Sequence, residues 1–307
     1  MTFPSVDFTF LKQNLDSKKL YGSDSAIGNL FLLQPKYDIT LFCHGKTLFR
    51  RYHGKESRTG WGFPLPLAVA DSDYLKAALV HIFDISKAEK TPVRFCLCTQ
   101  EQKQQLDACL AAHFSGKKID WNTNRDDSDY IYLQQHLADL PGSNYQKKRN
   151  HVSRFNRTYG TNWEFKPYPD YDIAADMLTV AETWFEEKGG EEKPELLLER
   201  DSVQTALSHT AEFGFRGGVL YIYGKPAAMT LASPISDCVL DVHFEKAVAA
   251  HEPNGVFAAI NQQFAKTCGN FLYLNREEDM GVEGLRKAKL SYKPEIILDK
   301  YYGVLAC

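Results

Sequence analysis

The sequence predicts an α+β protein in which one unit, a mainly antiparallel hairpin sheet carrying helices, occurs twice. Three observations lead there. Strand-like runs flank a Gly-Lys turn at Gly45-Lys46 and again at Gly224-Lys225, the pattern of a β-hairpin. About fifty residues after each hairpin come an apolar strand, a polar start and a helix, over Val93 to Leu110 and over Phe271 to Tyr292. A chain of 307 residues that is 44% hydrophobic and 24% charged can also fill two cores. The expected boundaries are 1–140 for a first domain, 141–160 for a basic connecting helix and 161–307 for a second domain.

In order, Tyr37 to Cys43 and Thr47 to Tyr52 form the first hairpin around His44-Gly45-Lys46. Gly60 to Pro66 is a rigid aromatic loop. Ala70-Asp-Ser-Asp73 has the composition of a cap for a helix through Leu75, Leu79 and Ile82. Val93 to Cys98 reads as a buried strand, and Thr99 opens a helix through Leu106, Cys109 and Leu110. A further strand is expected over Tyr130 to Leu133. The second half repeats these parts. A helix runs from Tyr171 through Trp184, a charged loop covers Glu186 to Lys193, and another helix covers Leu196 to Phe213. The second hairpin pairs Gly218–Tyr223 with Pro226–Leu231, and Cys238 to Glu245 is a third strand. Asn254-Gly255 starts a helix through Val256, Ile260 and Phe264.

Composition narrows the function classes. The net charge of −3 gives no global drive toward nucleic acid or an anionic membrane, so any such binding needs a local basic patch. Residues 144–157 supply one. Lys147, Lys148, Arg149, His151, Arg154 and Arg157 cover a helix with no acid, while Tyr145, Val152, Phe155 and Tyr159 share a stripe that can pack inward. Seven cysteines form no CxxC pair and read as reduced thiols. Met1 to Ser5 lacks a basic and apolar leader pattern, and no window approaches the roughly eighteen apolar residues of a membrane span. The expectation is a cytoplasmic protein.

Asn275 to Pro294 is the densest run of chemistry. It follows a short apolar strand, passes from acidic to basic, and is punctuated by Gly281 and Gly284, so backbone can approach a ligand there. A solvated turn with charge matched to the helix dipole is the plainer reading. The corresponding part of the first half, Thr99-Gln-Glu-Gln-Lys-Gln-Gln, has none of this pattern. That asymmetry places the expected site in the second half and makes the first half scaffold.

Leu140-Pro-Gly, Tyr145 to His151 and Arg154-Phe155, taken with Asn275 to Gly281 and Gly284 to Pro294, resemble a bacterial family. That family is related to the C-terminal catalytic domain of phosphatidylglycerol lysyltransferase. The resemblance runs from about Gly22 to Tyr302. It implies two GNAT-like acyltransferase domains in tandem, as in the Fem-type peptidyltransferases. It also implies transfer of an acyl or aminoacyl group from acyl-CoA or aminoacyl-tRNA to an amine or hydroxyl acceptor, with no tightly bound cofactor. The membrane domain of the lipid enzymes has no counterpart in these residues, so an acceptor other than a lipid is expected.

Acyl transfer of this type aligns a nucleophile with an ester or thioester, polarises the carbonyl and takes up a proton. Candidates for the base are Glu245, Glu277 and Asp279. His243 and Glu245, two apart on a strand, are expected on one face. Glu245 is equally placed to pair with Lys246, and Asp279 to cap the next helix. Asn275, Arg276, Arg286, Lys287, Lys289 and Tyr292 are candidates for substrate binding, with Arg286, Lys289 and Lys293 sharing a helical face toward phosphate. Asn254 and Gly255 stand where GNAT enzymes place a pyrophosphate loop, without its glycine-rich signature. Lys148, Arg149, Asn150 and Arg154 complete the set from the basic helix. No spacing typical of metal ligands is present. A protein that uses the same cleft to bind an anionic ligand or RNA without chemistry is the competing reading.

Overall fold

The computed structural model describes residues 6–54, 58–68 and 70–306; Met1 to Ser5 and Cys307, both used in the composition argument, lie outside them. The chain begins with α1 (Phe8–Asn14) and α2 (Ile27–Tyr37), then the hairpin β1 (Ile39–His44) and β2 (Thr47–His53). Next come β3 (Thr59–Trp61), β4 (Leu65–Pro66), α3 (Tyr74–Glu89), β5 (Arg94–Cys98), α4 (Gln100–His113), β6 (Ile119–Thr123) and β7 (Asp129–Leu133). Helices α5 (Gln134–Asp139) and α6 (Gln146–Tyr159) precede β8 (Trp163–Tyr168), α7 (Ala174–Glu187), α8 (Pro194–Ser208) and α9 (Thr210–Phe213). The chain ends with β9 (Arg216–Ile222), β10 (Lys225–Pro234), β11 (Val239–Ala247), α10 (Val256–Thr267), β12 (Tyr273–Asn275), α11 (Glu283–Leu290), β13 (Ile296–Leu298) and β14 (Tyr301–Leu305).

Two compact units result. The first comprises Met1–Lys19, Leu33–Ser128 and Leu298–Cys307, and the second Leu20–Leu32 and Asp129–Ile297. The boundaries expected at 140 and 161 both fall inside the second unit, which also contains the basic helix α6. Each unit has one mixed, mainly antiparallel sheet. In the first the order is β1-β2-β3-β5-β14-β6, with β4 also on β2. In the second it is β13-β7-β12-β11-β10-β9-β8.

Local chemistry explains the elements. Gly45 takes φ +57° in the first hairpin turn, a conformation that favours glycine. Helix α4 opens on a reciprocal capping box between Thr99 and Gln102. Asp73 precedes α3 but its side chain caps nothing, and its own N–H donates to the Asp71 carboxylate. Strand β7 is buried along Tyr130, Ile131 and Tyr132, as an interior strand with both faces covered must be. The stripe predicted on α6 packs inward: Tyr145, Phe155 and Tyr159 are buried and Val152 half-buried. Cys43, Cys96, Cys98, Cys109, Cys238 and Cys268 are free thiols. No helix among the described residues is long and apolar enough to cross a membrane.

Candidate functional site

The second sheet opens where β11 parts from β12. Their parallel pairing covers only Val239–Asp241 against Tyr273–Asn275, while β11 continues to Ala247. Past Asn275 the chain stays with β7 instead, through Arg276 N–H to the Tyr130 carbonyl (2.9 Å) and Tyr130 N–H to the Glu277 carbonyl (3.2 Å). The far half of β11 therefore faces a slot.

Glu245 and Arg276 bridge it. Arg276 Nη2 donates to Glu245 Oε1 at 2.8 Å and Asn261 of α10 donates to Glu245 Oε2 at 3.3 Å. Thr230 of β10 lies opposite Glu245 in register. Three buried atoms around this carboxylate have no hydrogen-bond partner among the described residues: Thr230 Oγ1, Asn261 Oδ1 and Arg276 Nη1. Buried polar groups are normally satisfied, so this cluster is equipped for a polar ligand. Arg276 also lies over the Tyr292 ring at 5.0 Å, and Lys148 of α6 stands over the same ring at 3.7 Å. Burial, with Arg276 adding repulsion, brings the Lys148 ammonium down to about 8.

His243 lies on the other face of the sheet from Glu245, contrary to the two-residue alternation expected. Pairing runs Leu231 to Phe244 and then Ala232 to Val242, so His243 is an extra residue in a bulge. A bulge inverts the alternation beyond it. Glu245 thus faces α10, while His243 turns to Ser233 (Nε2 to Oγ 2.7 Å) and Glu277 (Nδ1 to Oε1 3.1 Å). Glu245 is not paired with Lys246 either, because Lys246 reaches Glu199 at 2.6 Å and lies over Trp184.

Most of the expected anion-binding cations are engaged internally. Arg286 holds the fully buried Asp279 through both carboxylate oxygens at 2.7 Å. Tyr130 OH and the Gly281 N–H also donate to Asp279. Burial alone would raise this carboxyl, but those donors together hold it well below its usual range. It caps no helix, since Val282 occupies that position without a side-chain cap. Lys289 is buried and donates to the carbonyls of Arg276, Glu277 and Glu278. Lys287 is exposed and paired with Glu283 one turn away. Asn275, fully buried, ties the Glu277 N–H, the Tyr21 carbonyl and Asp129. The turn is therefore a locked frame, with Glu277 and Met280 held at positive φ.

On α6, Arg149 closes on the carbonyls of Leu140 and Gly142, Asn150 pairs with Gln146, and Arg154 donates to the Pro253 carbonyl. Asn254 reaches the Tyr159 hydroxyl. Gly255 has φ +90°, and a Cβ there would lie 2.5 Å from the His151 carbonyl oxygen. Gly255→Ala is accordingly expected to destabilise the protein by about 2 kcal/mol, read as a lower urea midpoint at unchanged slope.

Asn29, Thr230, Ser233, Asp241 and Asn261 were not singled out from sequence. Two of them carry a signal: Thr230 and Asp241 are polar residues inside apolar runs of β10 and β11.

The family model for phosphatidylglycerol lysyltransferase, C-terminal, matches residues 16–303. A conserved protein of unknown function from Bacteroides thetaiotaomicron VPI-5482 is 30% identical, with a TM-score of 0.84 and all of both chains covered. L-PGS from Bacillus licheniformis is 15% identical with a TM-score of 0.59, covering 96% of this chain and 89% of that one. FemX is 9% identical with a TM-score of 0.59, covering 98% of this chain and 97% of that one. The last two share the fold, a tandem of GNAT-like domains. By its match over nearly the whole length, the chain belongs to the phosphatidylglycerol lysyltransferase C-terminal family.

Proposed function

We propose that this protein is an aminoacyltransferase, moving an aminoacyl group from an aminoacyl-tRNA-type ester to an amine or hydroxyl acceptor. The observation that carries the reading is the slot between β11 and the Arg276 segment, bridged by Glu245 and Arg276 and ringed by unpartnered polar atoms. In this reading the nucleophile attacks the ester carbonyl, Arg276 Nη1 donates to the developing oxyanion, and Glu245 takes the nucleophile's proton. The proton then passes to the departing ribose oxygen, so the step needs no covalent enzyme intermediate. Lysyl transfer in the family description supports an aminoacyl group as the moving part.

An ester donor is favoured over acyl-CoA by the entry to α10. The segment Ala249–Asn254 is a 3-10 helix in which the His251 N–H donates to the Val248 carbonyl, the following Gly255 N–H donates to the Glu252 carbonyl, and Pro253 has no N–H to offer. Within this segment few donors remain for a pyrophosphate. Lys147, His151, Arg154 and Arg157 are exposed along α6 and suit a phosphate backbone.

The test is to incubate the protein with charged tRNA and with acyl-CoAs, adding amine and hydroxyl acceptors including phosphatidylglycerol, and to identify products by mass spectrometry. Product is expected from charged tRNA, with Glu245→Gln slowing transfer by roughly 10²–10⁴-fold. Donor binding is expected to weaken as pH rises through about 8. There the Lys148 ammonium, which faces Tyr292, Arg276 and Glu245 and shares α6 with His151 and Arg154, loses its charge. Lys148→Met removes that step. Saturable binding of charged tRNA without turnover overturns the reading in favour of a binding protein, and turnover of acyl-CoA alone overturns the donor.

A further inference from the structure

We infer that Asp241, His243 and Glu277 form a binding site for a first-row divalent transition ion such as Zn²⁺, on the sheet face opposite Glu245. The three residues each offer one ligand atom, and these atoms lie within 4.8 Å of one another. His243 Nδ1 stands 3.1 Å from Glu277 Oε1 and 3.6 Å from Asp241 Oδ2. Tetrahedral ligands at the roughly 2.1 Å of Zn–N and Zn–O bonds sit about 3.4 Å apart, and the two observed separations bracket that spacing. The donor set, one imidazole and two carboxylates, suits a borderline ion and disfavours Mg²⁺ or Ca²⁺, which prefer oxygen alone.

The surroundings orient this set as a ligand shell is oriented. Ser233 Oγ lies 2.7 Å from His243 Nε2. Accepting the Nε2 proton leaves the Nδ1 lone pair toward the carboxylates, as in metal-bound histidines. Asn29 Nδ2 donates to Glu277 Oε1 at 3.2 Å and reaches Asp241 Oδ2 at 3.5 Å, leaving Asn29 as a brace for both acids. The independent observation is Asp241 itself. Its side chain is 0% exposed, yet Oδ1 has no hydrogen-bond partner among the described residues. A buried carboxylate oxygen with no donor, beside a second carboxylate and an imidazole lone pair, is a concentration of acceptors that a cation satisfies. Sequence spacing hides the site because Glu277 is brought to Asp241 and His243 by the pairing of β12 with β11. An ion here would tie the middle of β11 to the segment carrying Arg276, one residue before Glu277.

The inference is read without any transfer assay, so its failure and failure of the aminoacyltransferase reading are separable. Chelator-stripped protein is titrated with Zn²⁺ alone against a chromophoric competitor, and the Zn²⁺ protein is examined by X-ray absorption. One equivalent is expected, with imidazole and oxygen scatterers and no sulfur. Ser233→Ala, which removes only an orienting hydrogen bond, is expected to weaken binding about 10–100-fold. His243→Gln and Glu277→Gln are expected to weaken it further, and His251→Gln to leave it unchanged. X-ray absorption on the unmutated protein keeps the test valid if a variant does not fold. Absence of stoichiometric binding, sulfur in the shell, or full-affinity binding by His243→Gln and Glu277→Gln overturns the site.

Discussion

Replacing Arg276 by Met is expected to cost about 3–5 kcal/mol of stability, the range for breaking a buried ion pair from one side. Both partners are largely buried, with side chains 14% and 13% exposed. Burial alone would lower the Arg276 guanidinium, but Glu245 reverses this and raises it above its ordinary value. Removing the arginine leaves Glu245 with Asn261 as its remaining hydrogen-bond donor and the Lys148 ammonium as a remaining opposite charge, and the largely buried carboxylate has lost its ion-pair partner. Glu245→Gln in the same background is expected to recover much of the loss, because neither charge is then buried alone. Urea unfolding of the two single variants and the double variant reads this as a coupling energy. An additive result would mean that the bridge is solvated in solution, and would remove the slot's rigid wall.

How much of this was legible beforehand depended on range. Period-2 and period-3.6 patterns with their turn residues located the Gly45 hairpin, the Thr99-capped helix and the stripe Tyr145, Phe155 and Tyr159, because each is decided by neighbours within a few positions. The resemblance anticipated the tandem fold. Strand exchange was not legible: β14 sits between β5 and β6, and β7 beside β12, pairings that no local pattern encodes. The same limit applied to the site. Charge alone made Arg286 and Lys289 look like phosphate ligands, whereas the fold had buried acceptors for both, Asp279 and three carbonyls. Glu245 stands out by its place near the end of a strand, but the face it takes is opposite to the one alternation predicts because one extra residue, His243, resets the alternation.

Lys289 carries the second large effect. Its ammonium donates to three successive carbonyls, those of Arg276, Glu277 and Glu278, from a side chain that α11 delivers into the core. These carbonyls converge because Glu277 is held at φ +54°, a conformation that costs energy and persists only when surrounding contacts enforce it. Burial pushes the lysine down from its ordinary value, with Arg276 adding to the effect and Glu277 and Glu278 opposing it. Lys289→Met keeps the apolar stem but leaves three carbonyls without this donor. The Glu277 carbonyl keeps the Tyr130 N–H, so two carbonyls are left unsatisfied, and at about 1–3 kcal/mol for each a loss of at least about 2 kcal/mol is expected. The loss should be local as well as global. Amides from Arg276 to Gly281 are expected to exchange hydrogen faster by a larger factor than those of β9 and β10, whose pairing does not involve the turn. The Arg276 guanidinium is set by the same backbone, so the variant is also expected to lose donor binding while Arg276 itself remains. Equal acceleration throughout the second unit would instead make Lys289 a general core contact, and the turn would owe its shape to Asp279 and Arg286.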